Sequence, residues 1–139
     1  ASATPDPDVS IERSVAPAGD LPEDRVARVT LTVRFGPKTP AGCYEVTDRL
    51  PSGLAPIART ARWPEGEPDA ASDAIYPYLV EGQRVAWCIA PDSKRRDFRL
   101  AYSARVVSPG TYRWEPATIQ STIGAERLTA TPPLTITIR

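Results

Sequence analysis

Two cysteines, three tryptophans, seventeen carboxylates and one Lys-Arg-Arg run are the residues of this chain with chemistry to offer. Histidine is absent. That excludes a Ser-His-Asp triad and any other proton relay through imidazole. Two cysteines without histidine also fall short of the common zinc ligand sets. No hydroxyl or thiol has an evident activating base beside it in sequence. Carboxylate pairs abound, but nothing marks one pair for glycoside hydrolysis. The residues argue against an enzyme and imply no cofactor.

Cys43 and Cys88 lack the C-x-x-C spacing of thiol redox catalysts. They read either as two buried thiols or as one disulfide. A proline-rich all-β chain with two cysteines favours the disulfide and an oxidising compartment. In a chain-entropy treatment, closing a loop of that length stabilises by about 4 kcal/mol. Glu65, Glu67 and Asp69 occupy alternate positions like the first calcium ligands of an EF-hand loop. Ala70 stands where that loop needs glycine, and no terminal glutamate follows in register. With Asp73 they are expected to form a solvated acidic loop, not a metal site.

Trp63, Trp87 and Trp114 invite comparison with a sugar-stacking platform. Trp87 alternates with Val85 and Ile89, and Trp114 with Tyr112, which assigns both to the core. Trp63 alone falls in a loop, where it is expected to be partly exposed. A surface adhesive or carbohydrate-binding module using Trp63 is therefore the alternative functional reading. Lys94, Arg95, Arg96 and Arg99 form the sharpest charge cluster and the candidate interaction patch. From residue 91 onward, eight basic residues face four acidic ones, and the rest of the chain carries the opposite imbalance. A polar contact with an acidic neighbouring domain suits that asymmetry. Lys38 and Lys94 both fall in turns and asparagine is absent, so an intramolecular isopeptide bond is not expected.

The elements that must position these residues are short. The 139 residues suffice for one hydrophobic core. Basic and acidic residues balance at 17 each, which argues against a nucleic-acid binder. No apolar run reaches membrane-spanning length. Methionine is absent, and the chain is expected to be a fragment or a processed product. Sixteen prolines oppose long helices. Residues 1–8 read as a linker or frayed arm, and 9–139 as a single domain. Strands are expected at 9–15, 25–35, 43–49, 54–57, 84–89, 97–107, 111–119 and 134–139. The clearest is 25–35, where Val29, Leu31, Val33 and Phe35 alternate with Arg28, Thr30, Thr32 and Arg34. In the first run, Val9, Ile11 and Arg13 share one face. In the run 97–107, Phe98, Leu100, Tyr102, Ala104 and Val106 share one. Pro116 is expected to demote the end of its strand to an edge or bulge. The stretch 58–77 is expected to be a long exposed loop tethered by Trp63 and Tyr76. Seven or eight short strands without a βα unit predict an all-β, immunoglobulin-like antiparallel sandwich.

Two passages carry a family resemblance. Residues 42–54, GCYEVTDRLPSGL, and residues 98–120, FRLAYSARVVSPGTYRWEPATIQ, resemble matching passages near the end of bacterial alpha-2-macroglobulin-like proteins. The strand LTVRF ahead of the first passage fits as well. In physical terms, Asp48 is expected to cap the turn at 50–53, with Pro51 fixing φ and Gly53 supplying a positive φ. Pro109 and Gly110 are assigned the same work in the second passage.

The resemblance implies the terminal macroglobulin-like sandwich of a large exported protease trap or related surface protein. Its partners would be the neighbouring domains of the parent chain, and proteases through the full-length protein. The reactive thioester motif of such traps, Cys-Gly-Glu-Gln, is absent, since Tyr44 follows Cys43 and Ile89 follows Cys88. Ser121 and Thr122 stand where the bacterial relatives are expected to carry Met-Tyr. The implied location is exported: periplasmic, membrane-anchored through other domains, or extracellular.

Overall fold

A computed structural model describes residues 5–23, 25–40, 42–57, 75, 77–122 and 127–139. The strands are β1 (Val9–Ala16), β2 (Val26–Phe35), β3 (Tyr44–Arg49), β4 (Leu54–Ile57), β5 (Leu79–Glu81), β6 (Arg84–Ile89), β7 (Asp97–Val106), β8 (Gly110–Trp114), β9 (Thr118–Ser121), β10 (Leu128–Ala130) and β11 (Leu134–Ile138). The all-β antiparallel sandwich is as the sequence predicts. The strand number is higher, with eleven among the described residues. The additions β5 and β10 have three residues each, too few to show a period.

A four-stranded sheet has the order β1-β2-β7-β4, and a five-stranded sheet the order β10-β9-β3-β6-β5. A ribbon of β11 and β8 completes the fold. Leu21 joins this ribbon through a parallel bridge to Ile138. Every named strand pair is antiparallel.

The two larger sheets face each other through the residues that alternation assigns inward. Val29, Leu31, Val33 and Leu100 from one sheet, with Val46, Val85 and Trp87 from the other, are fully buried. Phe35 meets Tyr44 across the interface with ring centroids 4.9 Å apart. Trp87 meets Tyr102 at 5.6 Å. β-branched and aromatic residues suit such a half-buried pleated surface.

Two departures from the expected pattern position the functional residues. The run expected at 111–119 divides around Pro116 into β8 and β9, which belong to different sheets. Pro116 has no amide hydrogen to donate to a ladder, so the chain leaves one sheet there and enters the next. Second, Arg28 lies on the outward face of β2 but is buried, and its Nη1 donates to Ser103 Oγ across the β2–β7 ladder at 3.2 Å.

Candidate functional site

The densest polar chemistry lies inside the sandwich. Along β3, alternation carries Tyr44, Val46 and Asp48 to the same buried face. Asp48 is fully buried. Arg13 Nη1 donates to its Oδ1 at 2.8 Å, and the Arg13 side chain is only 2% exposed. Trp114 Nε1 donates to the same oxygen at 3.1 Å. Tyr102 Oη donates to Oδ2 at 2.6 Å. Arg13 also donates to the Glu115 carbonyl at 2.8 Å, and its guanidinium lies 4.7 Å from the Trp114 ring centroid. One carboxylate on the five-stranded sheet thus binds β1 and β7 of the four-stranded sheet and β8 of the ribbon.

Burial pushes the Asp48 carboxyl above the usual carboxylate range, and the Arg13 charge and the three donors work against that rise. Burial and the Asp48 charge hold the Tyr102 phenol well above its ordinary value. The side chains of Asp48, Arg13, Tyr102 and Trp114 are all buried. The cluster links the three sheets through one carboxylate. The expectation that Asp48 caps the turn at 50–53 is thereby corrected.

That turn is held by Gln83. Its Nε2 donates to the carbonyls of Pro51 at 2.7 Å and Leu54 at 2.6 Å. Gly53 does not adopt the expected positive φ; among the described residues that conformation belongs to Gly19, Gly42, Gly82 and Gly110. Glycine is needed at 53 for close approach. A Cβ there would lie 2.5 Å from Tyr112 Cε2 and 2.8 Å from Ile138 Cδ1. Tyr112 is restrained in turn, because its hydroxyl donates to the carbonyls of Ser108 and Pro109. Gly110 has a φ of 143°, as the second passage suggested. Gly53→Ala is expected to destabilise by about 1–3 kcal/mol, as overpacking does. In a Tyr112→Ala background the loss should shrink. A urea titration in which Gly53→Ala leaves the midpoint unchanged would refute the contact.

Cys43 and Cys88 form a disulfide with a Cα–Cα distance of 5.6 Å. Cys88 is exposed on the outward face of β6, whereas Cys43 lies one residue before β3 instead of within a strand. On the same face, Glu45 accepts a hydrogen bond from the exposed Tyr78 hydroxyl and lies 3.6 Å from Arg84 Nη2.

The structure divides the basic cluster. The backbone amides of Lys94 and Arg95 both donate to Asp92 Oδ1 at 2.7 Å, which lowers the Asp92 pKa. The Arg95 guanidinium stacks 4.7 Å from the Phe98 ring centroid. Arg96 turns inward, and its Nη1 donates to the Gly36 carbonyl at 2.8 Å. Arg99 is exposed on the outward face of β7. Lys94, Arg95 and Arg99 are exposed, while Arg96 fastens the turn to the β2 end.

Trp63, Tyr76 and the acidic residues Glu65, Glu67, Asp69 and Asp73 lie outside the described residues. Among the described residues, no group of three or more metal-ligating side chains gathers. No helix there is long and apolar enough to cross a membrane.

Neither a protein-family model nor a curated protein sequence matches the chain. Solved structures do. The structure of Escherichia coli alpha-2-macroglobulin spanning domain MG7 to the C-terminus matches with a TM-score of 0.80 and 18% identity. The match covers 100% of this chain and 24% of that one. The native conformation of E. coli alpha-2-macroglobulin matches with a TM-score of 0.77 and 20% identity, over 100% of this chain and 10% of that one. BcpA, the major pilin subunit of Bacillus cereus, matches with a TM-score of 0.65 and 12% identity, over 94% of this chain and 40% of the pilin. This chain spans about a quarter of the first of these structures, and over its whole length it has a fold from the MG7-to-C-terminus region of bacterial alpha-2-macroglobulins.

Proposed function

We propose that the chain is a non-catalytic domain of a larger exported protein related to the bacterial macroglobulins, and that it works through its surface. The observation that carries this reading is the coverage: the whole chain superposes on a fraction of a much larger polypeptide. The chemistry supports it. Histidine is absent, and the buried Asp48 carboxylate is held inside the core by three donors. The partners are the neighbouring domains of the parent chain, and proteases meet it only as part of the full-length protein. A contact of this kind covers about 600–1,500 Å² and is fairly polar.

The turn of Lys94 and Arg95, with Arg99 beside it, is the contact surface. Asp92 and Arg96 fix its backbone, so docking the turn costs side-chain entropy but little backbone entropy. The test is a pull-down between this domain and the remainder of its parent chain. Lys94→Glu with Arg95→Glu should weaken capture at least about tenfold, equivalent to roughly 1.4 kcal/mol. Arg96 is left intact because it holds the fold. Unchanged capture would remove the basic turn from the account. Saturable glycan binding lost on replacing Trp63 would replace this reading with the carbohydrate-binding one.

A further inference from the structure

We propose that the Cys43–Cys88 bridge is a substrate site for thiol–disulfide exchange, and that the Cys88 sulfur is the atom attacked. The bridge does not join the two facing sheets. In the β3–β6 ladder, Tyr44 stands opposite Ile89 and Glu45 opposite Cys88, so Cys43 reaches Cys88 diagonally within one sheet. Val85, Trp87 and Ile89 point inward and are buried, which turns Cys88 outward between them. Cys88 is exposed, and Cys43 is half-buried. Thr122 further restrains Cys43, donating to its carbonyl from both N, at 3.1 Å, and Oγ1, at 2.9 Å. Of the two half-cystines, Cys88 is thus the more accessible to a thiolate approaching from solvent. Exposed disulfides are the exchange-prone class, and access decides which sulfur is attacked.

The reaction balances with a dithiol as co-reactant. Its thiolate attacks Cys88 Sγ, a new S–S bond forms there, and the bond to Cys43 breaks. The electron pair leaves on Cys43 as a thiolate, which takes a proton. The second thiol of the co-reactant then displaces Cys88. The bridge gains two electrons and becomes two thiols, and the dithiol is oxidised to a disulfide. The fold survives the exchange because β3 keeps its ladders with β6 and β9. The domain is the substrate in this reaction; without a C-x-x-C pair it is not the catalyst.

Glutathione, a monothiol whose first product can be trapped by alkylating the Cys43 thiolate, is the probe. The native full chain is incubated briefly with it, alkylated at once with excess iodoacetamide at neutral pH, then acidified and peptide-mapped without reduction. The expected product carries glutathione on Cys88 and the alkyl group on Cys43, in about tenfold excess over the reverse arrangement. Far-UV circular dichroism should be unchanged. Glutathione mainly on Cys43 would overturn the assignment. A bridge that resists glutathione until denaturant is added would overturn the proposal itself.

Discussion

Replacing Asp48 with alanine should destabilise the domain by roughly 3–5 kcal/mol, the cost of leaving one partner of a buried ion pair without the other. Three groups lose the carboxylate together: the Arg13 guanidinium, which keeps its bond to the Glu115 carbonyl, the Tyr102 hydroxyl and the Trp114 indole N–H. None has water available in its place, because the Arg13 side chain is 2% exposed and the two aromatics are almost completely buried. Arg13→Met should couple to the change. In that background no buried cation is stranded, and Asp48→Ala should be milder by about 0.5–3 kcal/mol. Urea unfolding of the four members of the cycle measures this. A loss under about 1 kcal/mol for the single Asp48→Ala variant would show that the cluster is solvated in solution and does not hold the sheets.

The second large effect separates the two buried tryptophans. Trp87→Ala should destabilise by about 3–5 kcal/mol, since the side chain lies at the centre of the core against Tyr102. Truncation to phenylalanine distinguishes their roles. The Trp87 indole N–H has no acceptor among the described residues, so Trp87→Phe removes volume without removing a hydrogen bond. Trp114→Phe loses a bond to a carboxylate, which is worth about 1.5–3 kcal/mol, and weakens the stacking of Arg13. Trp114→Phe should therefore be the more damaging of the two. Equal losses, or the reverse order, would contradict the geometry around Asp48.

Alternation alone placed much of this architecture. β2 and β7 are long, their apolar residues keep strict period, and their inward faces lie where the pattern puts them. Trp87 follows from Val85 and Ile89 in the same way. The same period placed Arg13 with Val9 and Ile11; Asp48 falls in step with Tyr44 and Val46, although its place before a proline turn reads as a cap. The inward cluster was thus written in the pattern. The preference of single charges for water pointed the other way, and only the pairing of strands distant in sequence shows that the two charges meet. Pro116 was legible as an interruption, but a change of sheet depends on neighbours that a local window does not contain. The fourfold basic run hid the one member, Arg96, that turns back to a backbone carbonyl. Gly53 was legible as a special position for the wrong reason, since crowding by a ring 59 residues away leaves no local trace.

The wiring of Asp48 also constrains when the domain can form. Its partners lie 35, 54 and 66 positions from it along the chain. The four-stranded sheet likewise joins β2 directly to β7, bypassing all that lies between. Such topology raises contact order, slows folding and delays closure of the core. A nascent chain that has released β1 through β6 holds an acid and an arginine that already match, but neither the tyrosine nor the tryptophan that completes their shell. It also exposes the inner face of β2 with no β7 to pair it. The Asp48 cluster therefore cannot be complete before Trp114 has emerged.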